Sequence, residues 1–148
     1  MKIKSTRFGE IEVEERDIIT LVSPIIGFTR FEKFILLRHS DEIPYILWLQ
    51  SVEEPSLAFA VMDPFLIPDL EYEIEIPDED VKDLGIESPS DIAVFTIISM
   101  PDGPESISIN LKAPIIINLK TGRGKQIIVA RDYPVRYFIL KKGKEEAS

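Results

Sequence analysis

The sequence predicts an all-β fold: a mainly antiparallel barrel or sandwich of about ten short strands, with one short helix near residues 78–84. Three observations carry this. The chain holds 24 Ile and 8 Val against 12 Leu and 6 Ala, and β-branched side chains, stiff at χ1, pack better on a pleated surface than on a helix. Turn signals built on Pro, Gly, Asp and Ser recur about every 8–12 residues, the spacing of sandwiches and barrels. Helix punctuation occurs at one place, residues 77–85. The length of 148 residues fits one domain with a core of its own, set at residues 1–140, with 141–148 expected to be a disordered, charged tail.

Taken in order, Ile3 and the acid–aliphatic alternation at 10–14 predict a first hairpin turned at Gly9, followed by a short strand in 17–22. Ser23-Pro24 breaks pairing because proline lacks a ladder donor, and Gly27-Phe28 opens a connection before a strand at 33–38. Residues 44–50 and 57–62 are nearly continuous apolar runs, as in strands buried on both faces, and are expected to form the central core. Residues 69–76 have period two, so Leu70, Tyr72, Ile74 and Ile76 should face one way and Asp69, Glu71, Glu73 and Glu75 the other. Three carboxylates in a first turn, Val81 and Leu84 three apart, and Gly85 at the stop mark the helix. Strands then follow at 92–99 and 106–111, a hairpin joins 115–119 to 126–129 across the glycines of 120–125, and the aromatic 133–139 closes the fold at an edge.

The charge narrows the function. Net charge is −9, and the tail contributes three bases and two acids, so the acidity belongs to the folded part. Direct nucleic-acid binding is not expected, since that affinity comes mostly from Lys and Arg neutralising phosphates, and a basic partner is favoured instead. The absence of Cys and the single His39 exclude disulfides, a thiolate metal site and a Cys nucleophile, so neither metal nor cofactor is expected. No apolar leader or run long enough to span a membrane is present, and the expected location is the cytoplasm, with no membrane partner. Residues 120–125 lack the Gly-x-x-x-x-Gly-Lys-Ser/Thr spacing of a phosphate loop.

Two neighbouring features are candidates for binding. The row Asp69, Glu71, Glu73, Glu75 sets carboxylates on one side of an extended segment about 6.6 Å apart. It is either a docking face for a cationic partner or an ordinary solvated face. Residues 63–68 hold Phe65, Leu66 and Ile67 between two prolines; either Phe65 and Ile67 line a groove for an amphipathic helix from a partner, or the segment folds back over the barrel mouth as core. The candidate partner-binding residues are therefore Asp63, Phe65, Ile67, Glu71 and Glu73. A competing class, a small-ligand or hydrolytic β-barrel, would use paired carboxylates such as Glu53 with Glu54 or Asp78 with Asp80.

Three stretches together carry a family likeness: Thr6-Arg-Phe-Gly-Glu-Ile-Glu-Val13, Trp48-Leu-Gln-Ser-Val-Glu-Glu-Pro-Ser-Leu-Ala-Phe-Ala-Val-Met-Asp-Pro64, and Asn110-Leu-Lys-Ala-Pro-Ile-Ile-Ile-Asn-Leu119. In order and spacing, from about Met1 to Tyr137, the chain resembles the FliW flagellar assembly factors. It departs at Ser23-Pro-Ile-Ile-Gly-Phe28, where the family usually has Gly-x-Pro-Gly-Phe. The resemblance implies a non-enzymatic regulator that binds the translational repressor CsrA, relieves its repression of flagellin synthesis, and also binds flagellin. The implied mode is allosteric, through a C-terminal extension of CsrA, and the free factor is expected to be a monomer.

Overall fold

A computed structural model describes residues 1–27 and 31–139. Phe28 and the tail at 141–148 lie outside the described residues. The strands are β1 (Lys2–Ser5), β2 (Gly9–Glu12), β3 (Ile19–Leu21), β4 (Lys33–Arg38), β5 (Leu47–Ser51), β6 (Ala58–Met62), β7 (Ile92–Ser99), β8 (Ser108–Ile109), β9 (Ile115–Asn118), β10 (Arg123–Gln126) and β11 (Tyr137–Phe138), with one helix, α1 (Asp78–Leu84). Nine of them share a sheet ordered β11-β8-β7-β6-β5-β4-β3-β10-β9. A further pairing of β7 with β9, Ile92↔Asn118 to Phe95↔Ile115, closes seven strands into a barrel. The pair β3–β10 is parallel and every other pair is antiparallel.

Closure explains the unbroken apolar runs. Ile115 and Ile117 pack with Phe34, Leu49 and Val61 in one cluster, which fills the barrel, while Ile116 between them packs outward against Leu84 of α1, Ile127 and Val129. β9, covered on both faces, is apolar at three successive positions for that reason, whereas β5 and β6 depart from the expected two-faced burial, with Trp48, Ala58 and Ala60 only half-buried on the outer face. Three covers lie outside the barrel. The β1–β2 hairpin places Ile3 and Val13 on Ile35, α1 covers Ile116, and Tyr72 with Ile109 and Leu111 covers Met62. Emptying the centre by Phe34→Ala would cost about 3–5 kcal/mol by the usual cavity penalty.

The first hairpin turns where expected, with Gly9 at φ +76° opposite Ser5. The helix has the expected bounds, with Asp78, Glu79 and Asp80 in its first turn and Gly85 ending it at φ 66°, a left-handed cap that glycine adopts without strain. Several segments differ from expectation; the strand expected at 44–50 begins only at Leu47, with Pro44 and Tyr45 exposed. Residues 70–76 keep their alternation, with Tyr72 buried and Glu71, Glu73 and Glu75 exposed, yet belong to no strand. The segment is extended backbone held to the outside of the barrel by side-chain packing, so its period of two records burial and not a ladder. The strand expected at 106–111 pairs only over Ser108–Ile109. The last hairpin pairs three residues earlier than its apolar content implies, at β10, because Gly124 lets β3 and β9 approach: a Cβ there would lie 3.0 Å from Leu21 Cδ2 and 3.2 Å from the Ile116 carbonyl oxygen.

Candidate functional site

The candidate site is assembled on the outside of the barrel where the chain leaves β6. Asp63 Oδ1 accepts the Phe65 amide at 2.8 Å and caps a single 3-10 turn, Pro64–Leu66. Proline at the first turn position costs no hydrogen bond there. The capped turn aims Phe65 and Leu66 into solvent, 55% and 59% exposed. Ile67 points the other way, half-buried in the cluster of Met62, Tyr72 and Ile109. Of the five predicted residues it is the one that faces the core.

An aromatic row continues from Phe65. Its ring centroid is 5.7 Å from that of Tyr72, which meets Tyr133 nearly edge-on at 4.7 Å. The Tyr72 hydroxyl donates to the Leu111 carbonyl at 2.6 Å, and burial, with a smaller contribution from Tyr133, raises its pKa well above the ordinary tyrosine value. Tyr133 Oη accepts the Glu73 amide at 2.9 Å, which takes the place of a ladder bond in this segment. Glu71 and Glu73 therefore point outward from a backbone fixed by aromatic packing. Arg131 Nη2 lies 2.8 Å from Glu73 Oε2, with both side chains more than half exposed, so the pair contributes little to stability but lowers the local negative charge.

Two depressions flank the row. One, of about 680 Å³, is lined by Glu71, Tyr72, Glu73, Arg131, Asp132 and Tyr133. The other, of about 380 Å³, lies between Asp63, Phe65 and the aliphatic Ile74, Ile76, Ile92 and Val94. The structure thus brings Asp63, Phe65, Glu71 and Glu73 onto one side of the molecule, joined through the Phe65–Tyr72 contact. Sequence reasoning missed Leu66, Arg131 and Tyr133 as members of this surface. Leu66 was legible as one of three apolar residues between prolines, whereas the two C-terminal residues are about 60 positions away and carry no local signal.

The carboxylate pairs of the competing reading are committed elsewhere. Glu53 Oε1 accepts the amides of Glu32 and Lys33, and Glu54 Oε2 accepts the Ser56 amide and hydroxyl. Asp80 is buried at the foot of α1, where Lys125 Nζ donates to its Oδ1. That hydrogen bond raises the Lys125 pKa, opposed by desolvation and aided by the negative charges of Asp80, Asp83 and Glu79. Among the described residues, no three of His, Cys, Asp and Glu are grouped to hold a metal ion, and no helix is long and apolar enough to cross a membrane.

Comparison with known proteins places the chain in a family. A flagellar assembly factor FliW from Thermosipho africanus is 45% identical over 126 residues, covering 84% of this chain and 86% of its own. One from Ruminiclostridium cellulolyticum is 40% identical over 141 residues, 95% of each chain. The fold superposes on a crystal structure of the flagellar assembly factor FliW with a TM-score of 0.86 at 31% identity, over 96% of this chain and 99% of that one. The family model described as FliW protein matches residues 2–139, which takes in both barrel and outer covers. This chain belongs to the FliW family.

Proposed function

We propose that the chain is a flagellar assembly factor that works by holding other proteins and performs no bond chemistry: it binds CsrA, antagonises its repression of flagellin mRNA, and binds flagellin, so that flagellin synthesis follows assembly. It acts in the cytoplasm as a single domain over residues 1–140, monomeric when free. The observation that carries this reading is the acid–aromatic surface formed by the half-buried Asp63 with the exposed Phe65, Glu71 and Glu73. Rigid aromatic anchors beside carboxylates suit a basic, partly apolar protein partner. An acidic face also fits a partner whose own task is to bind RNA.

In this arrangement the carboxylates steer the encounter and Phe65 supplies apolar contact. The test is the double charge reversal Glu71→Lys with Glu73→Lys, titrated with purified CsrA by calorimetry and stopped flow at two salt concentrations. Association is expected to slow by about tenfold and its salt dependence to flatten. Unchanged binding and unchanged salt dependence would reject this surface. Flagellin added as competitor then reads whether the two partners exclude one another.

A further inference from the structure

A second surface has the opposite chemistry. On the outer side of the barrel, between the β1–β2 hairpin and β8, the half-buried Trp48, Ala58 and Ala60 of β5 and β6 floor a groove of about 500 Å³. Register places Trp48 opposite Ala60, so the two share a face, and Ile98, Met100 and Ile43 complete the walls. In a chain of 26 acids, none of the residues lining this groove is acidic. Arg7 lies at its Trp48 end, the guanidinium 3.8 Å from the indole centroid, and makes no ion pair among the described residues. The groove shares no lining residue with the two depressions beside Phe65.

The fold narrows the occupant. Both β5 and β6 are paired on each side, so a partner strand has no free backbone to join and must bind through side chains. A second copy of the chain would bring exposed apolar residues such as Phe65, Leu66 and Ile128, none of them on α1, and self-association is an outcome of the test below. Residues 141–148 contain no large apolar side chain and cannot fill the groove. We infer that the groove over Trp48, Ala58 and Ala60 docks an amphipathic helix of a partner protein, with apolar side chains over the two alanines and a carboxylate on Arg7. At physiological salt the Debye length is about 8 Å, so Arg7 outweighs the net negative charge for a carboxylate held against it.

The experiment uses the full-length protein and two synthetic helical peptides with Leu at alternating three- and four-residue spacing, one bearing Glu and the other Lys at one end. Trp48 is the only tryptophan, so its emission reports occupancy directly, with calorimetry for variants that alter Arg7. The Glu peptide is expected to shift the emission and to bind about tenfold more tightly than the Lys peptide. Ala60→Leu should weaken it by about tenfold with an unchanged circular dichroism spectrum, and Arg7→Glu, at a solvent-exposed position, should reverse the peptide order. The Glu71→Lys/Glu73→Lys variant should bind the peptide normally, which separates this groove from the surface proposed above. Absence of an emission shift, equal affinity for both peptides, a shift on deleting residues 141–148, or a dimer dissociated by Ala60→Leu would each overturn the assignment.

Discussion

Gln50 sits within one of the apolar runs and has no accessible surface. Its Oε1 accepts the Ser5 hydroxyl at 2.8 Å, while Nε2 is shared among the carbonyls of Ser51, Glu54, Pro55 and Leu57 at 3.1–3.4 Å. One amide therefore ties the first hairpin to the β5–β6 turn, adding to carbonyls that already accept backbone amides, Pro55 from Thr6, Glu54 from Leu57 and Leu57 from Ser51. A buried donor stripped of its acceptor, as the Ser5 hydroxyl would be, costs about 1–3 kcal/mol, whereas the volume is nearly kept by methionine. Gln50→Met should accordingly lose about 2–3 kcal/mol, read as a lower urea midpoint at constant m. A loss under about 0.5 kcal/mol, the range of an ordinary surface change, would show that water replaces the amide there.

At the scale of the element, the extended segment 70–76 is the instructive case. Its sequence has the pattern of a half-buried strand, and side-chain alternation follows that pattern, but the Glu73 amide bonds to a tyrosine hydroxyl and the segment joins no sheet. Removing that acceptor by Tyr133→Phe should raise Glu73 amide exchange by about tenfold or more while Tyr72 stays buried. Exchange unchanged by the substitution would mean that packing alone shields the amide. The same segment shows what was legible in the sequence. Burial periodicity is local and is written into residues 69–76, and the bounds of α1, β4 and β7 follow from caps and runs that are also local. Hydrogen-bond partners are not local: nothing near Glu73 announces Tyr133, and nothing near Gly124 announces the close approach of Leu21. The candidate surface divides along the same line, with Asp63, Phe65, Glu71 and Glu73 visible as neighbours in sequence and Arg131 and Tyr133 added only by the fold.

For the whole molecule, the barrel and its outer covers are bound together by two protonated groups that the acidic composition does not announce. Lys125 of β10 holds Asp80 of α1, and Tyr72 holds the Leu111 carbonyl beneath the extended segment. Both have pKa values raised in the folded protein, Tyr72 chiefly by burial and Lys125 chiefly by its hydrogen bond to Asp80. A raised pKa means that above the unfolded value the folded state binds more protons than the unfolded chain, so stability falls as pH rises. The contribution of each group is complete below its ordinary value, 10.0 for Tyr72 and 10.5 for Lys125, and is lost on going above it. Global stability should therefore hold across neutral pH and decline above about pH 10, by about 1.4 kcal/mol per pH unit for each group titrating. Tyr72→Phe separates the two contributions. It loses the hydroxyl bond, costing about 1 kcal/mol at pH 7, yet should show a shallower alkaline decline because one titrating group is gone. Urea unfolding at half-unit steps from pH 8 to 11.5 measures both slopes, and an equally steep decline in the variant would remove Tyr72 from the account and leave the alkaline limit to Lys125.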